Sequence, residues 1–166
     1  MGKTLAKNFE DKVLEDFLKI DGATGDRIYD TTNGFRGISN VCDCICYKYP
    51  QMFYLECKTT KGNTFPLKNL TQYDKLITKK GVKGVVAGAV IWFYEHENCI
   101  IFVPITTFEK LKTDGQKSYN VKYIGGEDYP CIRIPSIKKR VYYDSDYSVL
   151  CEGEKDDQSE IANRNG

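Results

Sequence analysis

Apolar residues at Leu5, Phe9, Val13, Leu14, Phe17 and Leu18 recur every three or four positions, which predicts an amphipathic helix from Thr4 to Ile20 with Thr4 at its cap. Asp21-Gly22-Ala23-Thr24-Gly25 ends it, a short strand is expected at Arg27–Asp30, and Asn33-Gly34 signals a tight turn. The period then drops to two. Val41–Tyr49 and Met52–Thr59 read as paired strands joined at Pro50-Gln51. Alternation puts Cys42, Cys44 and Cys46 on one face and Asp43, Ile45 and Tyr47 on the other; in the partner strand Glu56 and Lys58 oppose Phe53, Leu55 and Cys57.

After Lys61-Gly62-Asn63, the residues Leu70, Tyr73, Leu76 and Ile77 predict a helix over Leu70–Lys80, stopped by Gly81, with Gln72 in its first turn. Lys83–Tyr94 is almost continuously apolar, as a strand covered on both faces should be. Asn98–Ile105 pairs with it across Glu95-His96-Glu97, and a short helix follows at Thr106–Lys112. Beyond Gln116 the pattern weakens to strand-like Tyr119–Ile124 and Cys131–Pro135. Lys138-Lys139-Arg140 is a small basic cluster that reads as solvated surface, with phosphate contact as the alternative.

Length adds that the 166 residues, 41% of them hydrophobic, suffice for one globular domain with its own core. We assign it to residues 1–151. The remaining segment, 152–166, holds five acids against two bases and is expected to be disordered. Its charge conceals that residues 1–151 carry +4 of a formal net +1, a modestly basic balance that permits nucleic-acid binding without requiring it. Seven cysteines, three of them two apart in one strand, do not make a disulfide framework, and Cys-x-Cys-x-Cys lacks the usual zinc spacing. A charged N-terminus without an apolar core and the absence of any run near a membrane span's ~20 residues point to reduced thiols in a cytoplasm, bacterial or phage-infected.

The chemistry lies in the paired strands. Asp43, a second acid thirteen positions on at Glu56, and Lys58 two beyond it share one face of neighbouring strands. Phosphodiester hydrolysis needs an attacking water, neutralisation of growing phosphate charge and protonation of the leaving oxygen; carboxylate-held divalent cations supply much of this. Asp43 and Glu56 are the candidate ligands for Mg²⁺, with Mn²⁺ as a substitute, and the backbone carbonyl of Cys57 offers a third hard oxygen. The two close carboxylates repel each other until a cation relieves them. Lys58 would orient the water and steady the transition state. Taken alone, acid-x-lysine on a strand is most often a surface ion pair, and Glu10 the solvated flank of a helix.

Context changes those readings. A helix, a hairpin bearing acid and acid-x-lysine, a helix and a strand resemble the core of the PD-(D/E)xK nuclease superfamily, which implies a restriction-endonuclease-like α/β fold with a mixed central sheet flanked by helices. Glu56-Cys57-Lys58, Phe65-Pro66-Leu67, Asn69 and Gln72 resemble the RecU family of Holliday-junction resolvases over roughly Asp43–Lys112, with a fainter match at Asn8-Phe9-Glu10. The resemblance implies Asp43, Glu56 and Lys58 as the catalytic core, Gln72 as a polar assistant, Glu10 as an outer acid, branched DNA as substrate and a homodimer as the working form. It departs at one point: about twenty residues separate Ile20 from Asp43, too few for the family's long projecting insertion, and a Tyr29–Arg36 hairpin could be its stub.

Arg36, Lys61, Lys68 and Lys75 flank the motif and are candidate contacts to the DNA backbone. No element suited to reading base sequence is evident, and no nucleotide cofactor is expected. The rival readings are another nuclease of the superfamily, of phage or mobile-element repair, restriction or exonuclease type, and a DNA-binding module that has kept the fold without catalysis. A redox or metal-sensing role for the cysteine run is a third.

Overall fold

The computed structural model describes residues 4–29 and 39–152. The expected Asn33-Gly34 turn, the Tyr29–Arg36 hairpin, Arg36 itself and nearly all of the acidic tail lie outside the described residues.

Helix α1 runs Leu5–Phe17, and the Thr4 side chain accepts the amide hydrogen of Lys7, satisfying a donor that a helix start leaves open. Phe9, Val13 and Phe17 are its buried stripe, each contributing about 1.5–3 kcal/mol of apolar burial, whereas Leu5 and Leu18 at the ends of the sequence pattern stay exposed. The first strand is β1, Thr24–Arg27, three residues earlier than Arg27–Asp30, because those residues are the ones in register with β2.

β2 (Cys44–Lys48) and β3 (Gln51–Thr60) form the antiparallel hairpin, with Tyr49-Pro50 at the turn. After β4 (Thr64–Pro66) the chain crosses through the short α2 (Tyr73–Leu76) to β5 (Val85–Phe93), parallel to β3. The expected continuous helix over Leu70–Lys80 is instead a four-residue α-turn between 3₁₀ turns at Leu67–Asn69 and Ile77–Lys79. Leu70, at ψ 74°, takes the backbone out of the helical region before Gln72. Gly81, at φ 74°, ends the segment in the left-handed conformation that suits glycine.

β6 (Ile100–Pro104) returns antiparallel to β5, α3 (Ile105–Thr113) follows, and β7 (Ser118–Asn120) pairs with β4. β8 (Ile132–Arg133) closes the sheet, while β9 (Ser136–Lys138) and β10 (Tyr143–Ser145) form a separate hairpin. The strand-like stretch Tyr119–Ile124 turns 3₁₀ after Asn120, and Cys131–Pro135 keeps only two residues of strand.

The central sheet therefore has the order β1-β2-β3-β5-β6-β8, mixed through the parallel β3–β5 pair and flanked by helices, which is the α/β architecture expected. One core lies under α1, built from Cys44, Cys46, Phe53, Leu55, Val90 and Phe102; the other joins Ala89, Ile91 and Val103 to Leu76 and Phe108. Where β5 and β6 press together, a Cβ on Gly88 would stand 2.3 Å from the Val103 carbonyl, so only glycine fits.

No helix among the described residues is long and apolar enough to cross a membrane.

Candidate active site

Regular pairing of β2 starts only at Cys44, and the residue before it is held from both sides. The Asp43 amide donates to Leu55 O at 3.1 Å and its carbonyl accepts from the Ile28 amide at 2.8 Å, so the backbone is fixed by β3 and by the chain leaving β1. The side chain is fixed as well, since Asp43 Oδ2 accepts the Cys57 amide hydrogen at 2.8 Å. This irregular entry also shifts the cysteines. Cys44 and Cys46 pack under α1, but Cys42 belongs to the opposite core, against the expectation that all three share a face turned away from the acids. Its thiol feels Glu56 and Asp43 and, chiefly through burial, is pushed up to about 12. All seven cysteines are free thiols.

Glu56 sits in the middle of β3 beside Ala89 of β5, a small neighbour that leaves room over the strand. It is only 2% exposed. Lys58 Nζ lies 3.1 Å from Glu56 Oε1, while Oε2 is buried with no donor on it; with the proton on Glu56, the two carboxyls share a hydrogen bond. Burial first, and the Asp43 charge second, push Glu56 up to about 8 despite the opposing pull of Lys58. Burial raises Asp43 too, against the Cys57 amide and Lys58, which favour its charged form. The pair thus resists carrying two negative charges at neutral pH.

A buried carboxylate oxygen with no donor on it, beside a second carboxylate, fits a hard divalent cation. Asp43 and Glu56 would hold it, with the Cys57 carbonyl between Glu56 and Lys58 as the backbone donor available on the same strand. No three His, Cys, Asp or Glu side chains among the described residues converge as a metal site, so such an ion would keep several waters, as Mg²⁺ commonly does.

Glu10 reaches this neighbourhood from α1. Its Oε2 receives Arg27 Nη2 at 2.5 Å, and its pKa is raised first by burial and then by the Asp43 charge. Arg27 also grips Asp11 Oδ1 through Nη1 and favours the charged form of Asp43. Sequence reasoning missed Arg27. Its place depends on the β1–β2 register, which puts it opposite Cys44, next to Asp43, and no local pattern signals that.

The other candidates stand further off. Gln72 precedes α2 and accepts from Thr71 Oγ1 at 3.0 Å, with no hydrogen bond to Asp43, Glu56 or Lys58. Lys75 donates to the Ser39 carbonyl, tying α2 to the chain entering Asp43. Lys61 lies 3.8 Å from Glu95 and is 75% exposed; Lys68 is exposed. Lys139 of the basic cluster pairs with Asp144 at 3.6 Å.

No protein-family model matches this chain, and no curated protein does. Among solved structures it is similar to Hjc, a Holliday junction resolvase from the archaeal hyperthermophile Archaeoglobus fulgidus, at 19% identity and a TM-score of 0.52, over 76% of this chain and 94% of that one. At this identity the likeness concerns the fold: a mixed sheet flanked by helices, of the kind found in a resolvase.

Proposed function

We propose that this chain is a Mg²⁺-dependent, structure-selective DNA endonuclease of the Holliday-junction-resolvase type, working on branched DNA in recombination or repair. The observation that carries the reading is the buried Glu56 carboxyl, with Lys58 on Oε1, no donor on Oε2 and the Asp43 carboxyl as its neighbour. A carboxylate kept in that state weakens a fold unless a cation or substrate completes it.

When bound, the cation polarises the scissile phosphate and lowers the pKa of its water. Asp43, its second oxygen steadied by the Cys57 amide, and Glu56 provide the anionic cradle. Lys58 has one side chain for two tasks: on loading, its ammonium can shift from Glu56 Oε1 to orient the attacking water and to offset charge on the phosphate. Arg27 acts through Asp43, balancing its charge from the α1 side, and Glu10 acts through Arg27, which it holds by a charged hydrogen bond. Gln72, Lys61, Lys68 and Lys75 stand away from the acids, and the three lysines are the candidates for contact with the DNA backbone beyond the cut phosphate. A homodimer of the RecU kind would present two such sites to symmetric strands.

The short connection between Ile20 and Asp43 favours a second reading, a superfamily nuclease acting on other DNA ends or duplexes. Cleavage of four-way junctions, linear duplex and single strands, compared with and without Mg²⁺, separates the two. Symmetric, Mg²⁺-dependent nicks confined to junctions support the resolvase reading; progressive loss of ends sinks it.

A further inference from the structure

The face of β3 that carries Glu56 continues away from the site through Tyr54 to Met52, and across the hairpin these pair with Ile45 and Tyr47. On the opposite face, Cys44, Cys46, Phe53 and Leu55 are fully covered by α1 and its neighbours. This face is left open at its far end: Tyr47 is 40% and Met52 37% exposed. These two large side chains, partly open to solvent, share a sheet face about 13 Å along the strand from Glu56.

The charge beside them is one-sided. Between Lys68 and Lys83 the chain carries five lysines and one acid, and although Lys80 is paired with Glu109 the balance stays positive where the chain leads into β5 next to β3. Lys79 Nζ stands 4.9 Å from the centre of the Tyr54 ring, which holds the cation at the margin of the open face. On the other margin β1 contributes Thr24 and the exposed acid Asp26, opposite Tyr47 and Ile45. A polyanion would therefore run on the lysine side and direct its uncharged parts over Tyr47.

We propose that this surface binds an unpaired stretch of the DNA substrate, with a base stacked on Tyr47 beside Met52 and its phosphates on Lys79 and Lys83. An aromatic ring next to a cationic track is how single strands are held without sequence reading, because every base offers a π-face. The consequence is that the substrate is held with nucleotides unpaired within a few positions of the cut phosphate, which in a four-way junction means opening base pairs at the branch. This rests on the nuclease reading only for the identity of the strand, and the test does not use cutting.

Fluorescence anisotropy in metal-free buffer compares a short oligothymidylate with a blunt-ended duplex of two fully complementary strands. Tyr47→Ala should weaken oligothymidylate binding about tenfold and leave duplex binding unchanged, while Tyr47→Phe retains wild-type affinity. Lys79→Ala should weaken both ligands and lower the salt slope by about one. Because Tyr47 is exposed, its replacement spares the core. Unchanged oligothymidylate binding by Tyr47→Ala, an equal loss on duplex, or no binding of oligothymidylate by the wild type would each overturn the proposal. A protein that binds as described yet cuts nothing with Mg²⁺ would keep this surface and lose the nuclease reading.

Discussion

Asp16 and Glu56 are both carboxylates taken out of water, each 2% exposed, and their surroundings separate a group that holds the fold from one kept for chemistry. Asp16 Oδ1 receives Lys12 Nζ at 2.5 Å and Lys19 Nζ at 2.9 Å, and Oδ2 accepts the Ser145 amide at 3.0 Å. Lys12 also reaches Asp144 at 2.8 Å, so the network fastens α1 to β10 across most of the chain's length. Every oxygen of Asp16 is used. Glu56 has Lys58 on one oxygen and no donor on the other, and burial first, with the Asp43 charge second, raises it to about 8. A buried charge is tolerated when its partners are complete, and an incomplete set marks the place where a ligand completes it.

Replacing each acid should break this contrast in opposite ways. Glu56→Gln should reduce cutting to background while the metal-free protein melts at the wild-type temperature or above, because glutamine is neutral at every pH and does not need the proton that folding makes Glu56 hold. Thermal melting alongside a junction assay checks both. Asp16→Ala leaves Lys12 and the Ser145 amide without their buried partner and should cost about 3–5 kcal/mol, lowering Tm by roughly 10 °C, with the cutting rate per folded molecule kept at low temperature.

Proton linkage sharpens the comparison at smaller scale. Glu56 keeps its proton in the folded state up to about 8 but releases it near 4.5 when unfolded, so between those values the unfolded chain binds fewer protons. Stability of the metal-free protein should fall as pH rises through that window and level off above it, Asp43 adding in the same direction. Melting curves over pH 5–9 should show this slope for the wild type and a flatter one for Glu56→Gln; the same slope in both would detach it from Glu56. The smallest effect belongs to Lys19→Ala. Its side chain is 54% exposed, and Lys12 still serves the same oxygen, so denaturant unfolding should register less than about 1 kcal/mol.

What the sequence made legible follows from the range of the interactions. The α1 stripe, the Thr4 cap, the β2–β3 hairpin and the apolar β5 are set by neighbours a few residues apart, and the structure has them. The proximity of Asp43, Glu56 and Lys58 could be read as well, since alternation and one turn bring them together. The face of Cys42 could not, because alternation holds only inside regular pairing and that begins two residues later. Arg27 depends on which strand β1 joins and in what register; Asp16 depends on Ser145, 129 residues away. The broken helix after Leu70 was hidden because its apolar spacing survives in 3₁₀ turns. Tyr47 and Tyr54 alternate correctly in the sequence, yet that Lys79 stands over Tyr54 while Tyr47 stays exposed is a matter of packing.

The central claim is that Asp43 and Glu56 with Lys58 form a Mg²⁺-dependent nuclease centre, and single-turnover cleavage of a four-way junction by Asp43→Asn tests it most directly. Asparagine can still accept the Cys57 amide hydrogen but brings no charge, so the fold should persist and junction binding should survive. The wild type should cut only with Mg²⁺ and Asp43→Asn should not cut at equal binding; undiminished cutting by the variant, or cutting by the wild type in the presence of a chelator, would rule this centre out.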